Sequence, residues 1–108
     1  MTDFLQVSTA TETREQAVEL ARTIVSRRLA AGAQIVGPVT SAFWHNGEFG
    51  IGEEWQLIMK TTRARYAELE THLLAQHPWE SPEIAAVPIL EGSKSCLSWI
   101  EANTQPRP

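Results

Sequence analysis

Sulfur is nearly absent from this 108-residue chain, which holds one cysteine, Cys96, and two methionines. A lone thiol cannot close an internal disulfide, and no opening segment carries the basic-then-apolar pattern of a secretory signal, so a cytoplasmic location is expected. Long apolar runs are missing too. Nothing approaches the roughly 18 consecutive apolar residues of a membrane helix, so a soluble protein with no membrane partner is expected. Positive charge is scarce, with 9 basic against 13 acidic side chains and a formal net charge of −4. That balance repels phosphate backbones, and nucleic acid is not an expected partner. The segment FLQVSTA also lacks the stacking aromatics and basic surround of an RNA-binding sheet. There is no Gly-rich phosphate loop, no nucleophile elbow and no H-E-x-x-H, and Cys96 has no evident histidine partner. The chain is therefore not expected to be an enzyme.

What is present fits a single domain over residues 1–108, because a second core in so short a chain would be starved of apolar surface. Residues 103–108 are polar and proline-bearing, and they are expected to fray. Phe4 to Ala10 reads as a strand. Thr13 and Gln16 form a capping box, and Ala17, Leu20, Ala21 and Ile24 repeat with helical spacing, which predicts a helix from Thr13 to Ala31, ended by Gly32. Ala33 to His45 and Glu48 to Thr61 flank Asn46-Gly47, a strong hairpin signal because both residues accept positive φ. In the second arm Trp55, Leu57 and Met59 share one face, and Glu54, Gln56, Ile58 and Lys60 the other. Gly50 and Gly52 predict a bulge, and Gly37-Pro38 a bend in the first arm. Thr62 opens a second helix with Tyr66, Leu69, Leu73 and Leu74 on one face, which Pro78 stops at His77. Ile84 to Leu90 reads as a last strand, at an edge or with a bulge because of Pro88. Ser93 to Ala102 forms a short third helix.

The order is that of an α+β, ferredoxin-like βαββαβ fold: one antiparallel sheet with helices on one face, a long central hairpin and an extra C-terminal helix. One dimension is awkward for a lone copy. Hairpin arms of about 13 residues reach roughly 44 Å, whereas a domain of this length is about 34 Å across. The hairpin should overhang, and exposed edges and an uncovered apolar face invite pairing with another copy.

Several segments together resemble the CutA family of divalent-cation tolerance proteins: RLAAGAQIVGPVTSAFWHNGE, EEWQLIMKT, HPWESPEIAAVPI and CLSWI. The H-P-aromatic-x-x-P-E element is the most specific, and the likeness covers almost the whole chain. The resemblance implies a small cytoplasmic homotrimer in which hairpins and edge strands join the sheets of neighbours, with a divalent metal of the copper class, or a small ligand, bound at the clefts between subunits. The alternative is a trimeric metabolite sensor or protein-binding scaffold, like the nitrogen-signalling PII proteins in architecture, with no physiological metal. Enterobacterial copper-binding relatives carry a cysteine at the end of the first strand and a His-His pair before Pro-Tyr. Here those positions read Ser8 and Gln76-His77, a hydroxyl and an amide where soft or borderline metals want sulfur or imidazole.

The candidate metal residue is therefore His77 alone, with two readings of equal weight. A neutral imidazole beside Glu80 and Glu83 can bind a divalent ion or accept a proton; the same ring at a helix end can simply cap orphan carbonyls. Glu54, Lys60 and Glu83 are the candidate ligand contacts, since the resemblance places these polar groups near the cleft. Glu54 and Lys60 lie about 20 Å apart along one strand and cannot pair with each other. His72, about 140° around the helix from His77, points elsewhere, and with its i−4 neighbour Glu68, which it can touch, it reads as a solvated helix face rather than a metal site. Phe43 and Trp44 are expected as subunit contacts, Trp79 as a packing residue, and Cys96 as a small buried hydrophobe.

Overall fold

The computed structural model describes residues 3–106, and the ends beyond them, including the last two residues of the expected tail, lie outside the described residues. Its elements are β1 (Phe4–Thr11), α1 (Arg14–Ser26), β2 (Gly32–His45), β3 (Glu48–Thr62), α2 (Arg63–Gln76), β4 (Ala85–Pro88) and α3 (Lys94–Ala102). The strands form one antiparallel sheet in the order β2-β3-β1-β4, as the ferredoxin-like reading requires.

Alternation builds the core. Leu5 and Val7 on β1 and Leu57 and Met59 on β3 are buried on the face covered by α1 and α2, where they meet Leu20, Ile24, Leu69 and Leu73. The capping box forms as its sequence predicts: the Gln16 amide donates to Thr13 Oγ1, and the Gln16 side chain accepts from the Thr13 amide. The end of α1 does not match. The helix stops at Ser26, not Ala31, because Arg28 turns into the left-handed region (φ 61°). The Arg28 amide then donates to Val25 O and the Leu29 amide to Ile24 O, both at 3.0 Å, which is the Schellman pattern with arginine in the usual glycine position. Leu29 and Ala30, which fall inside the helix expected from sequence, are instead a buried corner. Thr61 Oγ1 donates to Leu29 O at 2.7 Å, the Ala31 amide to Lys60 O at 2.8 Å, and buried Arg65 donates to Arg28 O at 3.3 Å.

The hairpin holds a second correction. The register shifts between Val36 and Val39, around Gly37-Pro38, whereas Gly50 and Gly52 stay in register opposite Phe43 and Ser41. Neither glycine makes a bulge. A Cβ on Gly50 would sit 2.7 Å from the Phe43 ring, so the bare backbone is a seat for that aromatic. At Gly37 a Cβ would meet the Trp55 ring at 2.6 Å and the Glu54 carbonyl at 3.2 Å, so the bend needs a residue without one. The last strand is shorter than Ile84 to Leu90 and runs only from Ala85 to Pro88, although the Ile89 amide still donates to Phe4 O.

On α2 the buried residues are Arg65, Leu69, His72 and Leu73, while Leu74 is exposed. The helix follows Leu69 and Leu73 onto the core and turns two polar side chains toward α1. The Trp99 ring of α3 lies against Gly32, which pairs with Lys60, so α3 reaches the sheet face that α1 and α2 leave open. Of the segment expected to fray, Thr104 is instead buried and donates to Ile100 O at 2.9 Å, and Gln105 and Pro106 are exposed. The longest dimension is 44 Å against 28 and 21 Å for the others, and the large apolar side chains near the hairpin tip are exposed.

Candidate functional site

Pro78 breaks α2, and His77 becomes its C-terminal cap with extended backbone (φ −66°, ψ 136°). Its side chain is turned inward, with 8% of the residue exposed. In the β1–β4 ladder the Ile89 amide donates to Phe4 O, and pairing ends where Ala85 meets Ser8. In an antiparallel ladder alternate carbonyls point to the same neighbour. The carbonyl of Ala10 therefore points past the end of β4, and His77 Nε2 donates to it at 2.8 Å. Nδ1 accepts the Trp79 amide at 3.0 Å. A carbonyl only accepts and an amide N–H only donates, so the two bonds together specify the neutral Nε2–H tautomer. The Trp79 ring packs 5.3 Å away, centroid to centroid. Burial pushes the His77 pKa below the usual histidine value, and the Ala10 carbonyl offsets part of that.

The other candidates are not gathered around this ring. Lys60 is half-buried on β3 between Gln6 of β1 and Gly32 of β2, whereas Glu54 lies six positions earlier opposite Val39. Both belong to the sheet face opposite Leu57 and Met59. Glu83 is exposed in the segment before β4, with β1 between it and β3. Ser8 is half-buried and alternates with the inward Val7 and Thr9, so it faces the open side of the sheet. Gln76 lines a groove of about 200 Å³ with Gln16, Glu19, Leu20, Thr23 and Pro78. Among the described residues, no group of three or more His, Cys, Asp or Glu side chains is placed to hold a metal ion.

One polar link was not found by sequence reasoning. His72 Nε2 lies 2.9 Å from Thr23 Oγ1, which joins α2 to α1, and Glu68 bonds to Arg65 instead at 2.9 Å. Burial first, and then the Arg27 cation, hold the His72 pKa below its usual value. A histidine in the same helical quadrant as Leu69 and Leu73 was the available signal.

Large apolar side chains lie uncovered near the hairpin tip. Trp44, Phe49 and Ile51 are 76%, 60% and 65% exposed, and the Trp44 and Phe49 rings meet edge to face at 6.0 Å. Trp44 and Phe49 are a register pair, so they share a face. Val87 and Leu90, on and just after the edge strand β4, are also exposed. Cys96 is half-buried.

Comparison with known proteins matches this sequence and geometry to one family. The family model described as CutA1 divalent ion tolerance protein matches residues 5–103. The divalent-cation tolerance protein CutA of Thermus thermophilus is 39% identical over 90 residues, covering 83% of this chain and 87% of that protein. The protein of the same name from Archaeoglobus fulgidus is 33% identical over 91 residues, covering 84% and 88%. Among solved structures, the divalent cation tolerance protein from Thermus thermophilus superposes with a TM-score of 0.90 at 35% identity, covering 94% of this chain and 99% of that one. CutA from Xylella fastidiosa gives 0.91 at 27% identity, covering 96% and 100%. A chain that carries the HPWESPE element at the end of α2, in this sheet order and over this length, belongs to the CutA1 divalent ion tolerance protein family.

Proposed function

We propose that this protein is a cytoplasmic homotrimer that takes part in divalent-cation tolerance as a binding protein rather than an enzyme, and that its ligand is met at clefts between copies. The observation that supports this is the bare hairpin tip. Aromatic and aliphatic side chains of that size, exposed together beyond the helices, mark a protein interface. Both sheet edges, β2 and β4, also end without a partner strand in the single chain. Glu54, Lys60 and Glu83 are the proposed contacts: among the described residues none of them is engaged in an ion pair, and each is free to meet a ligand or a neighbouring copy.

The sequence left two ligand classes open, a copper-class ion and a small molecule bound in the manner of a PII-like sensor. The scattered positions of Ser8, Gln76 and His77 favour the second, or an ion held by oxygen atoms from more than one copy. No helix of the described residues is long and apolar enough to cross a membrane. Native mass spectrometry of the purified protein is the test. A trimer mass, carrying an additional small mass that Lys60→Ala or Glu54→Ala removes, is expected. A monomer mass at micromolar concentration would overturn the proposal.

A further inference from the structure

The family name implies a divalent cation, and the copper-binding pattern of its relatives falls on Ser8, Gln76 and His77 of this chain. The residues do not fit such an ion. We infer that His77 is here a positioning residue, which completes the β1 ladder and ties down the segment leading into β4, and not a metal ligand.

The chemistry of the ring decides it. A metal needs a bare ring nitrogen with a free lone pair. Nε2 carries the proton it donates to Ala10 O, and the Nδ1 lone pair accepts the Trp79 amide. Coordination through either nitrogen breaks one of these bonds and leaves a backbone group unpaired at a place where the residue is 8% exposed. The neighbours offer no compensation. The Ser8 side chain is on the open face of the sheet, and Gln76 lies in the groove against Gln16 and Glu19, so the three positions present their groups in different directions. A metal at His77 and the observed closure of the 77–84 segment are thus alternatives that exclude each other. Trp79 follows from the same geometry: its amide holds the ring and its indole packs against it.

This inference concerns one chain and is independent of how copies assemble. It is tested by nitrogen NMR of the histidine rings in metal-stripped protein, with Zn(II) as the probe. His77 should show a protonated Nε2 and a bare Nδ1, unchanged as Zn(II) is added in excess. Two variants separate positioning from ligation. His77→Gln keeps one donor and one acceptor and should retain most of the wild-type melting temperature, whereas His77→Ala should lose several degrees. Both should match wild type in calorimetric titrations with Zn(II) and Cu(II). A shift of either His77 nitrogen at one equivalent of Zn(II), or metal binding lost equally in His77→Gln and His77→Ala, would overturn the inference. If His77→Ala does not fold, the wild-type spectra and His77→Gln still decide the matter.

Discussion

The helix-covered half of the sheet and the hairpin tip are built from similar residues put to opposite uses. On β3, Leu57 and Met59 are fully buried between β1 and the helices, while Phe49 and Ile51, a few residues earlier on the same strand, lie open. Both stretches alternate, and both put their apolar side chains at odd positions. The difference is what lies above them: α1 and α2 cover the first stretch, and among the described residues no helix covers the second. Alternation therefore states which face of a strand is apolar, and the topology decides whether that face is met by the same chain or by another.

The comparison is broken most severely from the covered side. Leu57 is 0% exposed, and Leu57→Ala removes three heavy atoms from the centre of the cluster formed with Val7, Ile24 and Leu73. A loss of about 2–5 kcal/mol of stability is expected, transfer and cavity terms together. Urea unfolding curves check it. A loss below about 0.5 kcal/mol would mean that this half is not the core.

In both halves the sequence disclosed well those features whose signals are local or strictly periodic. The capping box, the Asn46-Gly47 turn, and the paired alternation of β1 and β3 each depend on a few adjacent residues. Where the sequence misled, a long-range contact overrode a local pattern. Gly32 is the first stop signal after α1 in the sequence, yet the helix ends earlier, and Thr61 and Arg65, more than thirty positions away, take the backbone carbonyls of Leu29 and Arg28. Gly50 looks like part of a bulge until the Phe43 ring is placed over it. The site was legible only as far as residue type. The sequence shows that His77 is the remaining imidazole of the pair, but not that Ala10, 67 positions earlier, would occupy its Nε2.

A smaller effect tests the two buried histidines, both of which belong to the covered half. His72 and His77 have folded pKa values lowered from 6.5, in each case chiefly by burial. Below that value the unfolded chain binds more protons than the folded one. The stability they contribute is therefore complete above about pH 6.5 and is lost as the pH falls through their lowered folded values. Urea midpoints should be flat near neutral pH and decline on acidification. In the double variant His72→Gln/His77→Gln the decline should be shallower. An identical acid slope in wild type and double variant would count against burial of both rings.

The smallest effect on the chain's own stability is expected at the tip, and it is the most informative about assembly. Trp44 and Phe49 touch each other and little else within one chain, so Trp44→Ser/Phe49→Ser removes no buried contact. Measured on dissociated chains at low concentration, the change in unfolding free energy should stay within about 0.5 kcal/mol. In sedimentation equilibrium the same variant should shift toward monomer at concentrations where the wild type is associated, because aromatic anchors carry a large share of interface energy. The two measurements must be read together. A loss of chain stability with unchanged association would make the tip part of the core, and the contrast between the two halves of the sheet would fail.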